Sequence, residues 1–214
     1  QRAALEELVQ ISVSEQLHDL EERARDLGLA LQSEPDFRRA LTNGNHDVLT
    51  RQLQEQFRQY FVTANIFKLE KLVVYDTGYR PLGTARASAV VTNNNAPGCP
   101  TLIDHARARS GAKRVQPRVA FCLNNNQARY AVLVPAGGLK PIGYIEVVTD
   151  PIPVLARIET RLGFPVRIRD ARDRRVFVSE AWPPPNAMHN ALVAEYVLTT
   201  AAGEPALKVA VMRD

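Results

Sequence analysis

The sequence has no long apolar run. No segment approaches the roughly 18 consecutive apolar residues that a membrane-spanning helix needs. Aromatic residues make up only 7% of the chain, with a single tryptophan. The apolar fraction of 45% is nevertheless ordinary and sufficient for a folded core. We therefore expect a folded domain that does not itself cross a membrane.

Motifs that carry catalysis are also missing. The sequence contains no phosphate-binding loop, dinucleotide fingerprint, zinc-protease helix or nucleophile elbow. Its four histidines are scattered at His18, His46, His105 and His189. The neighbouring pairs His46-Asp47 and Asp104-His105 are more simply interpreted as ordinary surface residues than as metal or acid–base groups. We predict neither an enzyme nor a bound metal or cofactor.

Cysteine is scarce, with one at Cys99 and one at Cys122. The two are either unrelated buried thiols or a disulfide. A disulfide would close a loop of about 24 residues and stabilise the fold by roughly 3 kcal/mol. It would also imply an oxidising compartment.

The net charge of +4 is a mild excess, and the sequence contains two basic runs. The first is Arg107, Arg109, Lys113, Arg114 and Arg118, and the second is Arg167, Arg169, Arg172, Arg174 and Arg175. Neither contains interleaved aromatic residues, so nucleic-acid binding is not predicted. The plain interpretation is a solvated face. The alternative is an anion site in the first run, where Arg107 or Arg118 would bind a carboxylate in bidentate fashion.

What the sequence does contain is a long amphipathic segment at its start, from residue 1 to about 32. Its apolar stripe is Leu5, Leu8, Val13, Leu17, Leu20, Ala24, Leu27 and Leu31, with steps of four and three from Val13 onward. The predicted helix is about 45–50 Å long. That exceeds the roughly 26 Å diameter of a 100-residue domain. The helix therefore spans two packed units, or its stripe forms the seam of a parallel homodimer.

The rest of the chain predicts an α+β fold in which two antiparallel sheets follow the long helix. Short helices are expected at 36–41 and 48–61. Strands at 69–76, 82–90, 118–123, 129–134 and 142–149 form a meander with a helical insert at 101–109. A helix at 154–162 then precedes strands at 166–170, 174–179, 192–200 and 206–212. The order of elements occurs twice, which indicates an internal repeat with a shorter second copy. We therefore expect a helical part at 1–68, a first lobe at 69–150 and a smaller second lobe at 151–214.

Specific residues carry a resemblance to a known family. Residues 72–78 (LVVYDTG) followed by Pro81-Leu82-Gly83 resemble the first hairpin of PAS-like sensor modules, with an aspartate in the turn. The hairpin recurs in residues 166–179, and residues 141–147 look like the last strand of the first module. With the long helix, the chain resembles the double Cache (tandem PAS-like) ectodomains of bacterial chemoreceptors, histidine kinases and diguanylate cyclases.

The resemblance implies an extracytoplasmic, periplasmic sensor domain of a transmembrane receptor. The first lobe would be membrane-distal and the smaller second lobe membrane-proximal. The sequence opens in mid-helix and stops on a strand, so we expect membrane helices to flank it. The arginine-x-tryptophan motif of the amino-acid-binding subfamily is missing, since Trp182 lies in the second module. An oxidising location favours the Cys99–Cys122 disulfide.

The expected ligand site lies in the first lobe, between its sheet and residues 99–118. Alternation along the last strand puts Tyr144 and Glu146 on one face, and Ile145 and Val147 on the face that packs on the long helix. The candidate ligand residues are Tyr75, Arg107, Arg118, Tyr130, Tyr144 and Glu146. The simpler interpretation is that the tyrosines cap the core edge. Two alternatives to a small-molecule sensor remain: a periplasmic protein-interaction module, which a filled first lobe would favour, and, least favoured, a secreted enzyme.

Overall fold

The computed structural model of the chain describes residues 1–63, 67–86, 96–184 and 191–213. Within them it has a long N-terminal helix and two antiparallel sheets, which confirms the predicted α+β fold. Some predicted features lie outside the described residues. These are residues 87–90 of the second strand and His189.

Three helices open the chain: α1 (Arg2–Ser33), α2 (Pro35–Asn43) and α3 (His46–Thr63). Pro35 occupies the first turn of α2, where its missing N–H costs no hydrogen bond. Gly44 ends α2 with a φ of 64°, a left-handed conformation that glycine adopts without strain. Helix α1 ends at Ser33, within one residue of its predicted end.

The first sheet contains β1 (Lys68–Tyr75), β2 (Pro81–Arg86), β3 (Arg118–Asn124), β4 (Gln127–Ala136) and β5 (Gly143–Asp150). The helix α4 (Pro100–Arg107) and a 3₁₀ helix (Gly111–Val115) lie between β2 and β3. The strand order is β2-β1-β5-β4-β3, so the predicted simple meander is wrong. Strand β5 is buried at seven of its eight positions, and it takes the centre because both of its faces are covered.

The second sheet is preceded by α5 (Ile152–Ala156) and α6 (Ile158–Leu162), two short helices where one was predicted. It contains β6 (Val166–Asp170), β7 (Arg175–Val178), β8 (Leu192–Thr199) and β9 (Pro205–Arg213), in the order β7-β6-β9-β8. This order repeats β2-β1-β5-β4 of the first sheet. We call the first sheet with its insert the first lobe, and the second sheet with α5 and α6 the second lobe.

The repeat extends to the chemistry of the first hairpin turn in each lobe. Asp76 N–H donates to the Arg80 carbonyl oxygen at 2.9 Å, and Asp170 N–H donates to the Arg174 carbonyl oxygen at the same distance. In each turn the aspartate accepts a 2.7 Å hydrogen bond from the Nε of that arginine. The strand order and this turn thus recur in both sheets, as an internal repeat requires.

Helix α1 packs along both sheets. Val13, Leu20, Ala24, Leu27 and Leu31 are at most 1% exposed and share one core with apolar residues of both lobes. Gly28 lets the helix approach the first sheet, because a Cβ there would lie 2.9 Å from Cγ2 of Val134.

This burial corrects one prediction. Val13, Leu20, Ala24, Leu27 and Leu31 cannot form a dimer seam, because the chain's own sheets already cover them, whereas Leu17 is only partly buried. The large apolar residues that α1 leaves exposed are Leu8, Ile11 and Leu29, at 45%, 47% and 46%.

Candidate ligand site in the first lobe

The first sheet has two different faces. Ile145 and Val147 face the core under α1, whereas Tyr144 and Val148 belong to a second apolar cluster. That cluster also contains Leu102, Ile103 and Ala106 of α4. The alternation predicted for β5 is therefore confirmed, and the insert covers the face that carries Tyr144 and Glu146.

Glu146 is fully buried and bound by its own chain. Its Oε2 accepts hydrogen bonds from the Tyr75 hydroxyl at 2.6 Å and the Gly98 N–H at 2.9 Å, and its Oε1 accepts one from the Cys99 N–H at 2.6 Å. Burial raises the pKa of the Glu146 carboxyl, although these hydrogen bonds and nearby Lys71 oppose the rise. Glu146 therefore anchors a segment that we call the strap, residues 96–99.

The strap is held at three further points. The buried Lys71 ammonium donates a hydrogen bond to the Ala96 carbonyl oxygen. A Cβ on Gly98 would lie 2.3 Å from Cγ2 of Val148, so only glycine fits this close approach. The predicted Cys99–Cys122 disulfide is present, with Cα atoms 5.6 Å apart, and it joins the strap to β3.

Lys71 gives the first lobe a testable pH dependence. Burial, followed by the charge of Arg86, lowers the pKa of Lys71 from 10.5 to about 8. The unfolded chain therefore binds this proton more tightly than the folded chain does. The free energy of unfolding consequently rises with pH between about 8 and 10.5, and it falls again as the pH is lowered through that range. We expect the wild type to gain stability relative to Lys71→Met between about pH 8 and pH 9.5 in urea unfolding. A difference between the two proteins that stays constant over this range would contradict the assignment.

The edge of the site is built from two tyrosines and an arginine. The Tyr79 ring stacks on the Tyr144 ring with centroids 4.3 Å apart. The Arg114 guanidinium lies over Tyr79, 5.9 Å from the ring centroid, and donates to the Thr77 carbonyl oxygen at 2.8 Å. Proximity to Tyr144, and then to Tyr79, raises the pKa of Arg114, while burial and then Tyr144 raise the pKa of Tyr79 to about 12.

Two hydrogen-bond donors at this edge have no acceptor in good geometry among the described residues, although Arg114 lies close enough to Tyr144 to interact with it. The Tyr144 hydroxyl and Arg114 Nε are both buried, and neither has a hydrogen-bond partner within the described residues. Buried polar groups are normally paired. The Nε atoms of Arg25, Arg167 and Arg169 are also unpartnered, so the Tyr144 hydroxyl is the more informative of the two donors. An acceptor that carries negative charge would satisfy both.

Of the other predicted site residues, Tyr75 lies inside the first lobe and the two arginines lie on its surface. Tyr75 lies with Tyr144 and Glu146, so these three come together. Arg107 is exposed, donates to the Tyr79 carbonyl oxygen at 3.2 Å and pairs with Asp104 at 3.4 Å. Arg118 is exposed at the first position of β3.

Tyr130 does not join this group. It lies in the core under α1 and packs edge-on against Phe121 at 5.0 Å between centroids. Burial, and then the charge of Glu21 on α1, raise its pKa. The expectation that Tyr130 faces the same site is therefore wrong, because its position in β4 points it to the opposite face.

Sequence reasoning missed Lys71, Tyr79 and Arg114. Arg114 lies in the first basic run. The run indicated an anion site, but nothing in it distinguished Arg114 from its neighbours. Tyr79 follows the turn aspartate directly, and its φ of 61° is the left-handed conformation that the turn requires. Lys71 carries no signal, since it is one cation in an otherwise apolar strand.

No group of three or more His, Cys, Asp or Glu side chains is placed to hold a metal ion among the described residues. No helix among those residues has both the length and the apolar character for a membrane span.

Comparison by sequence finds no matching family model and no matching curated protein. Solved structures do match. The periplasmic domain of Vibrio cholerae LuxQ has a TM-score of 0.56 at 12% identity, over 100% of this chain and 99% of that one. The sensor domain of the V. cholerae histidine kinase DctB has a TM-score of 0.55 at 12% identity, over 99% and 98%.

A chemoreceptor domain is also similar. The ligand-binding domain of Campylobacter jejuni Tlp3, in complex with 4-methylisoleucine, has a TM-score of 0.51 at 12% identity, over 99% of this chain and 90% of that one. Since these matches span both lobes and α1, the whole chain has the fold of such sensor domains. The predicted resemblance to tandem PAS-like ectodomains is confirmed at the level of the fold.

Proposed function

We propose that this chain is the extracytoplasmic, ligand-sensing part of a bacterial transmembrane receptor, located in the periplasm. The observation that carries the proposal is the match over the full chain to sensor domains of receptors. The proposal keeps the division into a helical part at 1–68, a membrane-distal lobe at 69–150 and a membrane-proximal lobe at 151–214.

The ligand site we propose is the edge of the first lobe at Tyr144 and Arg114. Their two unpaired donors call for an acceptor, and a carboxylate or another organic anion supplies one in a charge-assisted hydrogen bond. The Tyr79 ring provides an aromatic wall beside them. Small-molecule sites typically have a small number of polar groups in mostly apolar surroundings.

Strand β5 links this site to the second lobe. It begins beside Tyr144 and ends at Asp150, whose carboxylate accepts a hydrogen bond from the Ile152 N–H at 3.0 Å, at the start of α5. Lys68 holds the same carboxylate at 2.8 Å. A ligand that binds better to one position of β5 would therefore favour one position of α5 and the second lobe. The result is a population shift between two packing arrangements.

A thermal-shift screen of the purified chain tests the ligand proposal. Organic acids, amines and nucleobases form the panel. We expect organic acids to stabilise the protein, since a ligand at 100 times its dissociation constant adds about 2.7 kcal/mol. A panel in which only amines or nucleobases stabilise would refute the anion site, and a panel with no stabiliser would refute the small-molecule proposal.

The second candidate function is a periplasmic protein-interaction module. One observation favours it: the interior of the first lobe is occupied by Tyr75 and Tyr144, and the strap already binds Glu146. Failure of the small-molecule screen, together with capture of a periplasmic protein by the immobilised chain, would favour this second candidate.

The homodimer through α1 remains a proposal, but with a different surface. Leu8 and Ile11 lie one helical turn apart and are exposed, unlike the stripe that begins at Val13. A cysteine at Leu8 in the full-length protein is expected to cross-link to its copy. A cysteine at Ala24, which is fully buried, is the matched control and is expected not to. Cross-linking at Ala24, or at neither position, would contradict this dimer.

A further inference from the structure

A cavity of about 670 Å³ lies between the two lobes, away from Tyr144 and Arg114. Its volume falls within the range of about 300–1,000 Å³ that is typical of small-molecule sites. The walls come from the β3–β4 hairpin of the first lobe, from α5, and from β7 and β9 of the second lobe. A molecule bound there would touch both lobes and the helix that connects them.

One part of the wall is apolar. It consists of Ile152, Pro153, Ala156, Val176, Phe177 and Leu207. Val176 is 44% exposed, so part of this apolar surface is accessible to a ligand. This apolar surface suits the hydrocarbon body of a ligand, whose transfer out of water would favour binding.

The other part of the wall is charged, with more cations than anions. Lys68, Arg129, Arg174 and Arg175 line the cavity, against Asp150 and Asp170. Both carboxylates are already engaged: Asp150 is 2.8 Å from Lys68, and Asp170 is 2.7 Å from Arg174. The cavity therefore offers no free carboxylate to a cationic ligand.

Two of the arginines are less completely neutralised. Arg129 is close to Glu70 at 3.7 Å, but Lys68 also lies 3.6 Å from that carboxylate. Its side chain is only 17% exposed, and hydrogen bonds to the Gln127 Oε1 at 2.7 Å and the Ala128 carbonyl oxygen at 3.1 Å hold it in place. Arg175 forms no ion pair with any residue that the structure describes.

We propose that this cavity binds a monocarboxylate with an apolar body. Its carboxylate meets Arg129 of the first lobe and Arg175 of the second, and its hydrocarbon part lies on Ile152, Ala156 and Phe177. Such a ligand stabilises the arrangement of the two lobes, because it contacts both of them and α5. The site is separate from the proposed sensory site, so the two respond to different substitutions.

Isothermal titration of the purified chain with sodium octanoate tests this site. Octylammonium, which has the same hydrocarbon body and the opposite charge, and butanoate, which has a shorter body, are the matched probes. We expect saturable millimolar or tighter binding of octanoate, at least tenfold weaker binding of butanoate, and none of octylammonium. Absence of saturable octanoate binding, or equal binding of octylammonium, overturns the proposal.

Variants locate the binding. Arg129→Gln and Arg175→Gln should each weaken octanoate about tenfold, and Ala156→Trp should abolish binding by filling the cavity. Arg172→Gln, an exposed arginine outside the cavity wall, and Tyr144→Phe, in the sensory site, should leave the affinity unchanged. Because Arg175 is exposed, its variant is expected to fold even if Ala156→Trp does not. Octanoate binding that is unchanged in Arg175→Gln and Arg129→Gln overturns the proposal.

Discussion

Replacing Glu146 with alanine is expected to lower the free energy of unfolding by about 3–5 kcal/mol. The substitution leaves the Tyr75 hydroxyl and the amides of Gly98 and Cys99 without their acceptor. Each buried donor left unsatisfied costs about 1–3 kcal/mol. It also removes the carboxylate whose charge favours protonated Lys71 in the folded lobe.

Two further variants serve as comparisons for the stability loss in Glu146→Ala. Tyr75→Phe removes only one of the three donors and should cost about 1 kcal/mol. Glu55→Ala, at an exposed position of α3, should change stability by less than about 0.5 kcal/mol. Urea unfolding of the three variants measures these differences. A loss of under about 1 kcal/mol for Glu146→Ala would show that the strap does not depend on this carboxylate.

Removing the disulfide should be almost as damaging. The double variant Cys99→Ser, Cys122→Ser is expected to lose about 3 kcal/mol, since the bond closes a loop with a sequence separation of 23 residues. The loss acts largely through the unfolded chain, which gains conformational freedom. It also frees one end of the strap from β3.

The measurement has two parts. Intact mass after alkylation without reductant should show no modified thiol in protein made in an oxidising compartment. Urea unfolding should then show the loss of stability in the double variant but not in a control such as Ser14→Ala, on the exposed side of α1. Two freely alkylated thiols, or equal stability of the double variant, would contradict the structural role of the disulfide.

Some of the site was readable in the sequence because it follows from strand geometry. In β5, a two-residue period was enough to put Tyr144 and Glu146 opposite Ile145 and Val147. The same rule could not place Tyr130. Strand β4 is buried on both faces, so its apolar residues do not alternate with polar ones and give no direction.

Other features depend on contacts between distant parts of the chain. Glu146 meets the strap across 48 and 47 residues, and Lys71 meets it across 25. No local pattern encodes such pairs. The stripe on α1 shows a related difficulty, because a helix face that fits a partner helix equally fits the chain's own sheets. The sequence predicted most of the buried face, except Leu8, and left open whether the sheets or a second helix cover it.

The most direct test of the sensor proposal is calorimetric titration of the strongest organic-acid stabiliser into the wild type, Tyr144→Phe, Arg114→Gln and the exposed control Arg58→Gln. Without ligand, Tyr144→Phe should be as stable as the wild type or slightly more so, since it removes a buried hydroxyl that has no partner among the described residues. With ligand, Tyr144→Phe and Arg114→Gln should each weaken binding about tenfold or more, while Arg58→Gln binds as the wild type does. Wild-type affinity in both Tyr144→Phe and Arg114→Gln would contradict a ligand site at this edge of the first lobe.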